Sequence, residues 1–233
     1  MVPLSFGSHD FLALDGALFW PAHRALIVAD LHLEKASFYA GFGQMLPPYD
    51  SRETVARLIE AAARSGAEAV WCLGDNYHDD AGEDRLDPHA AGALAALAAR
   101  VDLVWIAGNH DPAVRGRWGG RMLPEHQVGG IWLRHDAAPD DRLAICGHYH
   151  PKLRLGGRGG GQRCFVRSES RVILPAFGAL TGGLDCSHPA IAAAMQGPCE
   201  ALIPAAGRLL RFPIGAPMAA PRADMPRRRS RTA

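Results

Sequence analysis

Ala25-Leu26-Ile27-Val28-Ala29-Asp30-Leu31-His32 is a run of five apolar residues that stops at an aspartate, with a histidine two positions on. Four further runs repeat this pattern. Ala69-Val70-Trp71-Cys72-Leu73 stops at Gly74-Asp75, and Val101 to Ala107, interrupted only by Asp102, stops at Gly108-Asn109-His110-Asp111. Ile131-Trp132-Leu133-Arg134 ends at His135, and Leu143-Ala144-Ile145-Cys146 ends at Gly147-His148-Tyr149-His150. Runs of this length, rich in β-branched residues, read as strands buried on both faces. In open α/β sheets ligands bind where the carboxyl ends of strands emerge, so five strand ends each deliver an Asp, Asn or His to one edge. On an extended segment alternate positions point the same way, so each D-x-H or H-x-H pair is expected to face one centre.

Between these runs lie two helical patterns. One spans about Ser51 through Arg64, with Asp50 or Ser51 as the expected N-cap and Gly66 just past the end. The other spans about Pro88 to Ala99, with Pro88 suited to the first turn. Strand–helix alternation implies right-handed crossovers and a largely parallel first sheet. After Ile131 strands crowd together and helices fade, with further strands expected near Cys164–Val166, Val172–Leu174 and Leu209–Phe212. The glycine-rich stretch Gly156 to Gly161 reads as a hairpin tip, and it lacks the Gly-Lys-Ser/Thr of a phosphate-cradling loop. The expected architecture is α/β, with two sheets face to face and helices outside.

A chain of 233 residues, 48% hydrophobic, can bury a full core. Its formal net charge of +1 hides an asymmetry. The last 13 residues hold Arg222, Arg227, Arg228, Arg229 and Arg231 against Asp224, which leaves 20 basic and 23 acidic residues in the remainder. That acidic body is no general polyanion-binding surface, although bound divalent ions would reverse the sign locally. Residues 1–215 are read as one catalytic domain and 216–233 as a disordered basic tail. Five scattered cysteines without CxxC spacing suit reduced thiols, and no signal peptide or membrane span is read, so the expected compartment is the cytoplasm with no membrane partner.

Mixed Asp, Asn and His ligands suit manganese, iron or zinc better than magnesium. A carboxylate shared by two divalent ions holds them roughly 3.5–4 Å apart, where they activate a bridging water. One histidine beside the cluster can protonate the leaving oxygen.

The series D-x-H, GD, GNHD, a lone His and GHxH, from Asp30 to His150, resembles the calcineurin-like metallophosphoesterase superfamily. The resemblance implies a four-layer sandwich of two mixed β-sheets and a phosphoesterase whose nucleophile is a hydroxide bridging two metals. Asp30, His32, Asp75 and His150 would hold the first metal. Asp75 would be shared with the second, completed by Asn109, His135 and His148. His110 would be the acid or a transition-state stabiliser, with Asp111 orienting its ring. A narrower likeness is to PdeM, the ligase-associated DNA-damage-response endonucleases. It rests on Ala29 to Lys35, Gly74 to Asp79, Leu133-Arg134-His135 and Pro175-Ala176-Phe177-Gly178 leading to Thr181-Gly182-Gly183. That likeness implies cleavage of nucleic acid in DNA repair, beside a helicase and a DNA ligase.

Arg134 departs from the glycine common at its position in many relatives; it is read as a substrate contact or as a partner of Asp136. His78, just past Asp75, is read as touching substrate or as loop capping. Two competing functions share these residues. One is a small-molecule phosphomonoesterase or nucleotide phosphodiesterase. The other is a scaffold that keeps the fold without turnover, against which stands the complete ligand set.

Overall fold

The computed structural model describes residues 1–140, 142–155 and 160–215. The basic tail and most of the glycine-rich tip read from the sequence lie outside the described residues. Seven strands form the first sheet in chain order: β1 (Val2–Phe6), β2 (His9–Leu14), β3 (Ala17–Trp20), β4 (Ala25–Val28), β5 (Ala69–Leu73), β6 (Asp102–Ile106) and β7 (Arg121–Leu123). β1 to β4 pair antiparallel, whereas β4 to β7 pair parallel. The first sheet is therefore mixed, because three N-terminal strands extend it beyond the parallel half expected from the sequence.

The second sheet collects β8 (His126–Val128), β9 (Ile131–Leu133), β10 (Ala144–Cys146), β13 (Phe165–Arg167), β14 (Arg171–Ile173), β15 (Cys199–Ala205) and β16 (Arg208–Ile214). Between them β11 (Lys152–Leu153) and β12 (Gln162–Arg163) pair antiparallel, the base of the expected hairpin. Among the described residues the α-helices are α1 (Lys35–Ala40), α2 (Asp50–Ser65), α3 (Gly82–Arg85), α4 (Pro88–Ala98) and α5 (Pro189–Met195).

Strand alternation builds three cores. Leu26, Val28, Val70, Cys72, Leu103 and Trp105 face Val55 and Leu58 of α2 and Leu94 and Leu97 of α4. The intervening residues Ala25, Ile27, Trp71, Leu73, Val104 and Ile106 face Leu133, Ile145, Phe165 and Val172 of the second sheet. Outside that sheet, Cys146, Val166 and Ile173 pack on Ile191 and Met195 of α5. Strands buried on both faces have no polar side to alternate, hence the continuous apolar runs.

Helix α2 buries Thr54, Val55, Leu58, Ala61 and Ala62, one face at three- and four-residue spacing, and stops at Gly66 with φ +67°. Its start differs from the expected cap. Tyr49 occupies the N-cap position without a side-chain bond. Asp50 instead accepts the Ala36 amide at 3.2 Å, and Ser51 exchanges bonds with the amide and carboxylate of Glu34, each at 2.8 Å. Those polar groups tie α2 to the segment that leaves Asp30 and His32.

Candidate metal centre

The residues after β4, β5, β6, β9 and β10 converge on one edge of the sandwich. Asp30, His32, Asp75 and His150 place one ligand atom each within 4.8 Å of the others, and so do Asp75, His135 and His148. Asp75 belongs to both groups. Its Oδ2 lies 3.7 Å from His32 Nε2 and its Oδ1 lies 3.3 Å from His135 Nε2, so its two oxygens serve opposite sides. On the first side His150 Nε2 is 3.4 Å from Asp30 Oδ1 and 3.2 Å from His32 Nε2. On the second, Asn109 Oδ1 is 2.9 Å from both His135 Nε2 and His148 Nδ1.

The donor set fits a pair of divalent cations. Burial, followed by the charge of His150, pushes the His32 imidazole down to about 2, so its ring is neutral and keeps a lone pair for a metal. His135 Nδ1 points at the Leu73 carbonyl at 2.9 Å, which fixes the tautomer and frees Nε2 for the cluster. His32, His135, His148 and His150 for the imidazoles, Asp30 and Asp75 for the carboxylates and Asn109 for the amide give a mixed nitrogen and oxygen shell.

Local backbone geometry corrects one expectation. Asp30 and His32 do not alternate on an extended strand; their φ values are +56° and +45°. Asp75 (+48°), His148 (+72°) and His150 (+46°) are also left-handed, so five of the seven expected ligands sit at positive φ. Each such kink costs about 1–2 kcal/mol for a residue with a Cβ. The kinks turn successive side chains into one pocket directly beyond the strands, where parallel pairing continues through His32 N–H to Asp75 O at 2.9 Å.

Close approach explains the glycines in front of the ligands. A Cβ on Gly108 would stand 2.0 Å from the Asp75 amide nitrogen, and one on Gly74 would stand 2.3 Å from His135 Nδ1. A side chain at either position would push the two loops apart.

His110 lies beside the cluster, its ring 5.2 Å from that of His32. Its backbone amide donates to Asp75 Oδ1 at 3.0 Å, and its Nδ1 is 3.1 Å from the His78 carbonyl. Asp111 does not orient that ring, contrary to the sequence expectation. Its carboxylate accepts the amides of Asn76 (2.8 Å), Tyr77 (3.1 Å) and Gly108 (3.0 Å), because the side chain points under the loop that follows Asp75. Burial pushes this carboxyl up, opposed by the amide bonds.

Arg134 is also corrected. Its side chain is 5% exposed, pairs with Asp140 at 3.1 Å and Glu125 at 3.3 Å, and lies over the Trp132 ring. It pairs with neither substrate space nor Asp136; the Tyr149 hydroxyl donates to Asp136 instead. His78 is more central than the sequence suggested. Its Nδ1 is 3.4 Å from His32 Nδ1, its ring stacks on that of His110, and burial followed by Lys35 pushes it down to about 4. His126 stacks on Trp71 and His188 caps α5, both away from the centre.

A family model, calcineurin-like phosphoesterase, matches residues 23–150, over half of the chain and all of the ligand-bearing strands. The chain belongs to the calcineurin-like phosphoesterase family. It is a metal-dependent phosphoesterase. Among solved structures, the nuclease MPE of Pseudomonas putida is 28% identical, with a TM-score of 0.70 over 91% of this chain and 98% of that one. YfcE, a phosphoesterase from E. coli, is 17% identical over 77% of this chain and 87% of that one. Its TM-score of 0.38 is too low to bear on the site. No curated protein sequence matches the chain significantly. Among the described residues, no helix of this phosphoesterase is long and apolar enough to cross a membrane.

Proposed function

We propose that this phosphoesterase is a cytoplasmic endonuclease that cuts phosphodiesters of nucleic acid in DNA repair, with two manganese ions as its working metals. One observation carries the nuclease reading: the likeness to P. putida nuclease MPE extends over 91% of this chain and 98% of that one, at a TM-score of 0.70. Iron or zinc would satisfy the same nitrogen and oxygen donors. A helicase and a DNA ligase are proposed partners on the sequence resemblance alone.

Asp30, His32, Asp75 and His150 would hold one ion, and Asp75, Asn109, His135 and His148 the other. When bound, the pair supplies an activated water and neutralises charge on the phosphate. The chain's own contribution is orientation and a proton. Asp75 keeps the two sides in register through opposite oxygens, while its Oδ1 also receives the His110 amide. His110 Nδ1 is held by the His78 carbonyl, which leaves Nε2 to protonate the departing oxygen. His110 is exposed, so a polymer can reach it without entering a closed cavity.

The test compares a bis-nitrophenyl diester, the corresponding mono-ester and circular DNA in manganese. Diester hydrolysis with nicking of the circle is expected. Preference for the mono-ester with no nicking would remove the nuclease reading in favour of a small-molecule phosphatase.

A further inference from the structure

Helix α1 begins three residues after the ligand His32, and a row of aromatic rings runs from the centre along it and past its end. His110 and His78 stack 5.2 Å apart at 21°. Phe38 lies 4.8 Å from His78, Phe42 lies 5.1 Å beyond Phe38, and Tyr39 lies 5.4 Å from His78. The row starts at the proposed proton donor and ends in water, where Phe42 is 71% exposed. Rings recruited only to fill a core would not continue outward in this way.

Against Tyr39 opens a groove of about 440 Å³, lined among others by Lys35, Gln44, Leu46, Leu180 and Thr181. Both walls are tied to the metal ligands. One wall is α1. The other is the turn from Gly178 to Gly183, whose Gly178 amide donates to the Asp30 carbonyl at 3.1 Å. Gly183 approaches the His150 carbonyl so closely that a Cβ would stand 2.3 Å from it. Within the groove, Lys35 forms no ion pair among the described residues. Burial disfavours its charge, with Asp50 opposing.

We infer that α1 and this groove form the subsite for a nucleotide near the scissile phosphate, its base on the exposed Phe42 and its phosphate on Lys35. The inference rests on the nuclease reading and adds to it the surface that grips the strand. Every base has a flat π face, so stacking on this ring holds a strand whatever its sequence, and the lysine adds charge. A stack of this kind needs a base whose flat face is free of its stacked neighbour, as in an unpaired strand.

The experiment uses the full chain with manganese and two strands of equal length, an ordinary oligodeoxynucleotide and one built wholly of abasic units. Phe42→Ala is expected to raise KM for the ordinary strand about tenfold with kcat within about twofold, the size of one lost stacking contact. Phe42→Trp restores the KM. On the abasic strand Phe42→Ala and the parent protein should share one KM, whereas Lys35→Gln should raise KM on both strands.

An unchanged KM for Phe42→Ala on the ordinary strand overturns the subsite, and so does an equal rise on both strands. Hydrolysis of a bis-nitrophenyl diester with cleavage of neither strand strikes instead at the nuclease reading, and takes the subsite with it.

Discussion

The Nδ1 atom of His110 lies 3.1 Å from the backbone carbonyl of His78, and that contact decides which nitrogen of the His110 ring is free for chemistry. His110→Ala removes the proton donor without touching a ligand. The variant should keep both metals while kcat on DNA falls roughly 10²–10⁴-fold. The fall should be smaller on a nitrophenyl diester, whose phenolate leaves without a proton. Parent-like turnover on DNA would show that another group supplies the proton. Metal analysis beside steady-state kinetics checks both halves.

Asp75→Asn keeps the shape of the shared ligand and removes its charge. Because Asp75 oxygens face His32 on one side and His135 on the other, both ions should be held less tightly. Equilibrium dialysis is expected to show fewer than two ions per chain at a metal concentration that saturates the parent. Full stoichiometry would leave the sharing role without support.

The left-handed backbone at the ligands has its own test. His150 sits at φ +46°. His150→Ala and His150→Gly both delete the ligand, but only glycine relieves the kink. Without metal, the Gly variant should be more stable than the Ala variant by about 1 kcal/mol, measured by urea denaturation. Equal stability would mean that this backbone carries no strain.

Acid should destabilise the metal-free protein through its buried imidazoles. His32 is pushed down to about 2 and His78 to about 4, both by burial first, from the ordinary 6.5. Between pH 6.5 and those values the unfolded chain takes up protons that the native state refuses, so stability is complete above 6.5 and declines as pH falls. In thermal melts from pH 7 to 4, a His32→Gln/His78→Gln double variant should lose stability less steeply than the parent. Parallel pH profiles would contradict the assignment.

The ligand-bearing ends were legible because a strand buried on both faces has no reason to stop at Asp30, Asp75 or His135 except the edge itself. Helices α2 and α4 were legible to within about two residues, since α2 packs one clear face, whereas the short helices α1, α3 and α5 were not read. The first three strands were not, as Val2–Trp20 offers short runs with no chemistry at their ends. Side-chain roles that depend on tertiary contacts were hidden too. Asp111 looked like the partner of its neighbour His110, yet its carboxylate is taken by amides 34 and 35 residues away in the chain. Arg134 looked available to substrate until Asp140 and Glu125 enclosed it. His78 had a signal, its place in the loop just after Asp75, but only the fold reveals that its ring reaches His32 and its carbonyl reaches His110.

The most direct test is electron paramagnetic resonance of the manganese-loaded protein, read together with metal content. Two ions joined through one carboxylate are magnetically coupled. Two manganese ions per chain with a coupled spectrum, changing to the six-line signal of isolated ions in Asp75→Asn, is the expected result. A single ion per chain, or an isolated-ion spectrum in the parent protein, would contradict a centre built around Asp75.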